Sequence, residues 1–337
     1  MNKTCFSVRE TNVVKGVAIC MILIQHLFLN HTQNYVWLVP KLADIVESEI
    51  MSACVPIYLL LSGIGLTYGY EKKKTSDIGF SLQHTWKLML SFWFVFILFV
   101  PLGLFFEHNP VLIYGTGWEG FKNGLIDFFG FARQWETPTM NTSWWYMGVV
   151  IPLYLIFPLL YRMARPCKGF LILLLGLSRM YFIEIVALQW WVAFLIGIVV
   201  AQNKVPEAIM EYTKQRPILS RFAALVVFVL CFLRSYGEDP HYNVLFGLAV
   251  WTFVLVWFAH FPILGNCLAF LGKHAGNIYF FHVFLYLHYF PRFFVGRYPI
   301  VSFGLLLGIS LLISIGLEWV KKTIGFHKLY GMGKKRV

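Results

Sequence analysis

VVKGVAICMILIQHLFL, residues 13–29, decides how the rest of the chain is read. A bilayer's hydrocarbon core takes about 17–25 apolar residues of helix, and this run is long enough to cross it. Lys15 and His26 interrupt the run. They are eleven positions apart, close to three turns, so both project from one side of a helix about 16 Å apart along its axis. At that separation the two share no hydrogen bond, but they suit a long ligand gripped at one end by a cation and reacted at the other by an imidazole. Ionisable groups within a span are costly to insert, which makes each a functional candidate. Each also has an ordinary reading. Lys15 can be an anchor whose stem snorkels to the headgroups, and His26 a packing histidine that donates to a neighbouring carbonyl. Gly16, beside Lys15, allows close approach of another helix or of a ligand.

Working outward, the chain has 337 residues, 58% hydrophobic and only 13% charged, where a soluble protein carries about a quarter charged. The fold class expected is all-α, a polytopic membrane protein. Ten apolar segments are predicted to span, near 13–29, 50–70, 84–106, 143–162, 168–184, 186–202, 218–235, 242–259, 275–290 and 300–320. With the N-terminus in the cytoplasm, 21 of the 28 Lys and Arg residues fall on the inner side and 7 on the outer. That asymmetry predicts both termini cytoplasmic. It also accounts for the net charge of +12 without a nucleic-acid partner. The connection 107–142 carries GFKNGLIDFFGF (120–131), whose spacing predicts a helix lying in the membrane interface. No polar stretch is long enough for a soluble catalytic domain and no fixed-period repeat is visible, so residues 1–337 are expected to form one integral membrane domain. The short polar lead before the first span has no small-residue cleavage site, so no signal peptide is expected. The six scattered cysteines, without a CxxC pair, read as free thiols.

Further candidates lie along the other spans. The second descends through Ser62 and Gly63 to Lys72, Lys73 and Lys74, with Lys87 on the same inner surface. These cations either touch lipid phosphate or grip a phosphate-rich ligand entering from the cytosol. Trp145 and Tyr146 open the fourth span at its outer face, where an aromatic belt is the ordinary explanation. Tyr279 and His282 sit in NIYFFHVFLYLH (277–288), where packing again competes with function. An orienting carboxylate for His26 is expected from the outer loops, among Asp44, Glu47, Glu49, Glu238 and Asp239, since Glu184 and Glu318 lie near span ends. No His-x-x-x-His pair falls within a span and the outer histidines are far apart, so no metal is expected.

Four motifs in order resemble the acyltransferase-3 family of integral membrane acyltransferases. VVKGVAICMILIQHLF is similar to the family's opening helix, in which a basic residue precedes a catalytic histidine by eleven positions. Lys15 stands where arginine is usual, which keeps the charge but loses the bidentate fork. Ser62-Gly63-Ile64 resembles its Ser-Gly-Phe. SWWYMGVVIPLYLIFPLL (143–160) is similar to its Trp-aromatic-Leu segment, aligning Trp145, Tyr154 and Pro158. FLGKHAGNIYFFH (270–282) resembles its Gly-Lys-x-Ser…Tyr-Leu-x-His stretch through Gly272, Lys273, Tyr279 and His282. Pro56 and Val150 depart from acidic residues found in many members.

The resemblance implies transfer of an acyl group, most often acetyl from acetyl-CoA, to a hydroxyl of a cell-surface or exported carbohydrate at a bacterial plasma membrane. His26 would be the general base. Lys15, Lys72, Lys73 and Lys87 would meet the donor's phosphates, and Ser62, Trp145, Tyr146, Tyr279 and His282 would support the acceptor or the developing oxyanion. A transporter of a lipid-linked sugar or small metabolite stays open as the alternative. It would be expected to show broken helices and paired repeats, which this sequence does not announce.

Overall fold

A computed structural model describes residues 6–29, 31–48, 50–165, 186–236, 243–258, 261–326 and 328–329. Every regular element among them is helical. Along the chain these are α1 (Val8–Phe28), α2 (Pro40–Glu47), α3 (Cys54–Glu71), α4 (Asp77–Leu102), α5 (Pro110–Tyr114), α6 (Gly117–Phe128), α7 (Trp145–Leu155) and α8 (Phe157–Ala164). They continue as α9 (Val186–Gln202), α10 (Val205–Gln215), α11 (Pro217–Ser235), α12 (Asn243–Trp257), α13 (Pro262–Val283), α14 (Pro291–Phe294) and α15 (Pro299–Thr323). The segment expected at 168–184 lies outside the described residues.

Among the described residues five helical stretches are long and apolar enough to cross a membrane: Val8–Phe28, Ile50–Glu71, Asp77–Phe105, Pro217–Ser235 and Pro299–Thr323. The number rises to seven when each of two broken pairs is taken as one span. The chain is thus an all-helical, multi-pass membrane protein. The first, second, third, seventh and tenth expected segments coincide with these five. Three features differ from expectation. The fourth segment is interrupted at Ile156 between α7 and α8, where Pro158, in the first turn of α8, supplies no N–H to the preceding turn. After the sixth, the chain turns at Lys204, in left-handed backbone (φ 55°), and bends by 64° into α10. That helix carries Glu207, Glu211 and Lys214 and is a polar continuation that hydropathy did not announce. The ninth begins at Pro262 rather than near residue 275, because Gly265, Asn266, Gly272 and Lys273 lower the hydropathy of a stretch that is nonetheless helical. Pro262, at the first helical position, is well placed to start it.

The chain forms two compact units. The first comprises Met1–Thr32, Trp37–Lys73 and Leu159–Ala275. Within it α3 packs along α9, α1 against α3 and α12, and α11 against α12. Small residues let the backbones meet. A Cβ on Gly63 would strike the carbonyl oxygen of Phe194, and one on Gly197 that of Leu60. The same reciprocal arrangement joins α1 to the first half of α13, through Gly16 against Leu268 and Gly272 against Asn12. Between two membrane helices, where lipid is as apolar as leucine, such close backbone contact supplies much of the attraction. The second unit comprises Gln33–Val36, Lys74–Pro158 and Gly276–Val337. Its core is aromatic. Phe99 stacks on Phe281 at 5.0 Å, Phe92 meets Trp144 edge-on at 4.9 Å, and Trp93 stacks on Phe128 at 5.1 Å while its Nε1 donates to the Phe128 carbonyl. The expected amphipathic helix at 120–131 is α6, which starts three residues earlier.

Candidate active site

Helix α1 is one unbroken element, so the phase of Lys15 and His26 read from the sequence is their phase in the fold. Its start is fixed by a capping box: Ser7 Oγ accepts from the Arg9 N–H, and the Ser7 N–H donates to the Glu10 carboxylate. Arg9 reaches Asn266 at the start of α13. Lys15 and His26 are both half-buried. Between them on the same face stand Ala18, Ile19 and Ile22, all buried. Tyr58 of α3 donates its hydroxyl to the Lys15 carbonyl at 3.4 Å, so α3 is tied to α1 at the lysine's own level. Ser62, one turn further along α3, is half-buried. Gly16, open in sequence to a helix or a ligand, is taken by a helix, the backbone of Leu268.

The inner cations separate by environment. Lys72 is exposed, whereas Lys73 is half-buried with its Nζ 3.7 Å from the centre of the Tyr70 ring, a cation–π contact. Of the acids proposed to orient His26, Glu47 accepts from the Thr32 hydroxyl at 2.6 Å and Asp44 is exposed. Glu49, Glu238 and Asp239 lie outside the described residues. The described cysteines, Cys20, Cys54, Cys231 and Cys267, are free thiols.

Lys87, Trp145, Tyr146, Tyr279 and His282 belong to the second unit. Lys87 is half-buried on α4. The structure brings three of the others together: the Tyr146 and Tyr279 rings meet edge-on at 5.6 Å, and His282 is 6.4 Å from Tyr279. His282 is fully buried, with Nδ1 3.0 Å from the carbonyls of Ile278 and Tyr279. Carbonyls only accept, so Nδ1 carries the proton and Nε2 is the basic nitrogen of the neutral ring. Just beyond it α13 widens into a π-helical segment, Phe284–Tyr289, an irregularity that recurs at functional sites. The chain before α7 is clamped onto this part of α13. Asn141 Nδ2 and Trp144 Nε1 both donate to the Phe280 carbonyl, at 2.9 and 3.0 Å, and the Tyr279 hydroxyl donates to the Ser143 carbonyl. Asn141 Oδ1 in turn accepts from the Ser143 N–H and hydroxyl. Tyr146 is therefore held against Tyr279 by side-chain bonds to backbone, and Trp145 lies edge-on to Tyr146 at 6.4 Å. Among the described residues no three His, Cys, Asp or Glu side chains gather as metal ligands would.

A family model described as an acyltransferase domain matches residues 8–319, from the first residue of α1 to within the last turns of α15. The chain belongs to the acyltransferase-3 family. No curated protein and no solved structure matches it. All ten site candidates of this membrane acyltransferase fall inside the matched range. Its motif glycines Gly63 and Gly272 are the ones at which helices touch, so part of the motif pattern serves packing.

Two polar networks of the acyltransferase were missed in the sequence. Lys321 is 2% exposed and donates to Asn277 Oδ1 at 2.7 Å and Glu318 Oε1 at 2.9 Å, while Asn277 Nδ2 donates to the same Glu318 oxygen and to Ser314. Ser310, Ser314 and Lys321 share the buried face of α15, a polar stripe at helical spacing that was visible in the sequence.

The second network lies in the connection 107–142, outside the spans. Asp127 is fully buried and accepts from the Tyr114 hydroxyl at 2.6 Å, the Thr139 hydroxyl at 2.8 Å and the Met140 N–H at 3.1 Å. A lone acid amid the apolar residues of LIDFFGF was its signal. Burial pushes the carboxyl up to about 6 from an ordinary 3.8, against the downward pull of those three donors. A carboxyl raised on folding contributes stability that is present below its unfolded value and is lost as pH rises through the folded value. Thermal unfolding in detergent from pH 7.5 to 4.5 should therefore show the wild type gaining about 1–3 kcal/mol relative to Asp127→Asn, which has no proton to take up. Parallel curves for the two proteins would show that Asp127 keeps an ordinary affinity for its proton.

Proposed function

We propose that this acyltransferase-3 chain moves an acetyl group from cytosolic acetyl-CoA to a hydroxyl of a cell-surface or exported carbohydrate at a bacterial plasma membrane. The observation that carries the reading is the placement of Lys15 and His26 on one face of an unbroken helix that opens the acyltransferase domain. Lys15, with Lys72 and Lys73, meets the donor's phosphates at the cytoplasmic side. The thioester then extends along the apolar side chains of Ile19 and Ile22 toward His26, which takes the proton of the acceptor hydroxyl as that oxygen attacks the thioester carbon. Ser62 donates to the oxygen that becomes negative. The carbon–sulfur bond then breaks, and the thiolate takes the proton from the His26 imidazolium and leaves as CoA.

We further propose ten spans in a single domain with both termini cytoplasmic, an arrangement supported by the 21-to-7 distribution of basic residues. Reporter fusions after Lys74 and after Lys335 should report cytoplasm, and one after Arg133 the outer side. A cytoplasmic signal at Arg133 would overturn the arrangement. The two helix breaks are the feature shared with transporters, whose half-helices aim their termini at substrate near the midplane. Here the half-helix after the second break, α10, is polar and charged along its length, which suits a membrane surface better than a transport path. The direct test incubates purified protein with radiolabelled acetyl-CoA and candidate glycans, comparing wild type with His26→Ala. Label should appear in glycan only with the wild type. Label appearing equally with both proteins would remove His26 from the reaction.

A further inference from the structure

The connection 107–142 and the π-helical segment of the second unit meet at a histidine that the reaction above leaves unused. His288 Nε2 lies 2.5 Å from the carbonyl oxygen of Met140. The carbonyl only accepts, so Nε2 carries the proton and Nδ1 holds the lone pair. The peptide that receives His288 is itself held, because its N–H, that of Asn141, donates to the Thr139 hydroxyl oxygen at 3.1 Å, and that hydroxyl donates to Asp127 at 2.8 Å. The held carbonyl thus sets the tautomer and the direction of the ring. His288 is 7% exposed, and its Nδ1 is buried with no hydrogen-bond partner among the described residues. A buried acceptor left open in this way calls for a donor, whether water or ligand.

The surroundings narrow the donor's chemistry. The exposed His108 ring lies 5.9 Å from that of His288. Phe106 stacks on Tyr289 at 4.2 Å, and Phe290, which is 50% exposed, meets Phe106 edge-on at 5.5 Å. Aromatic rings that reach the surface beside a single oriented acceptor are what a sugar ring uses. Its C–H face rests on the rings and one hydroxyl donates to the nitrogen. A lipid tail would use the rings but has nothing to give Nδ1.

We propose that His288 Nδ1 accepts a hydrogen bond from a hydroxyl of a pyranoside, and that the aromatic surface around it seats the sugar. The kinetic part of the test rests on the transferase reading above, and the binding part does not. Protein carrying 15N-histidine, reconstituted in nanodiscs, is titrated with a panel of methyl hexopyranosides and methyl N-acetylhexosaminides. Tetrahydropyran, a sugar ring without hydroxyls, serves as control. The His288 resonances are identified by their absence from a His288→Gln sample. The Nδ1 signal should move with at least one glycoside and not with tetrahydropyran.

Two variants separate binding from structure. His288→Gln places an amide near Nε2, so it keeps the donor to Met140 but loses the acceptor at Nδ1. His288→Asn does the reverse. The Gln variant should keep the wild-type melting temperature yet bind glycosides at least tenfold more weakly, with a matching rise in acceptor KM and an unchanged KM for acetyl-CoA. The Asn variant should be less stable but bind within threefold of wild type. A Gln variant that binds as well as wild type, or a panel that leaves Nδ1 unmoved, overturns the proposal and leaves a water as the partner. Glycoside binding lost in the Gln variant, without acetyl transfer by the wild type, upholds the subsite and defeats the transferase reading instead.

Discussion

Glutamine in place of His26 should lower turnover by at least about 10²–10⁴-fold, the usual worth of general-base assistance. The substitution is chosen for what it keeps. Glutamine has a similar size and retains a hydrogen-bonding end, but it takes up no proton at neutral pH. Because position 26 is half-buried near the end of α1, a packing fault could imitate a catalytic one, so the two proteins should be matched for expression and melting temperature. Donor binding should survive, since the imidazole acts about 16 Å from Lys15 along the helix. Turnover within a few-fold of wild type would remove His26 as the base. His282 then becomes the residue to substitute, because its Nδ1 is committed to the carbonyls of Ile278 and Tyr279 and its Nε2 is the basic atom.

Alanine at Lys15 should raise the KM for acyl-CoA by about ten- to a hundredfold before acceptor dependence changes. That corresponds to the 1.5–3 kcal/mol typical of one charge-assisted contact. The backbone there is held independently of the side chain, by the Tyr58 hydroxyl on the Lys15 carbonyl and by the Gly16–Leu268 contact one residue on. Truncating the lysine therefore removes a charge without removing the helix. Arginine should support activity, its fork restoring a planar grip on phosphate. Loss of activity in Lys15→Arg with activity retained in Lys15→Ala would rule out phosphate binding.

These two residues could be chosen from sequence because their relation is internal to one helix. A turn of 3.6 residues places positions 15 and 26 on one face whatever packs around them. Apolar run length works in the same local way, which is why α1, α3, α4, α11 and α15 were legible, and the order of motifs was enough to point to the family. Where local composition was mixed the reading failed. The first half of α13 is too polar to announce itself, and α10 follows a left-handed turn that hydropathy does not register.

What no local pattern specifies is which distant group completes a polar atom. Asp127 needs Tyr114 and Thr139, Phe280 needs Asn141 and Trp144, and Lys321 needs Asn277 from another helix. Gly16 was equally open to a ligand until the backbone of Leu268 was found against it. Hydrophobic periodicity is repeated along the chain and can be counted there. A buried hydrogen bond joins two positions that only the packed chain brings within 3 Å, and so the clamp on the His282 helix and the orientation of His288 belong to the tertiary structure alone.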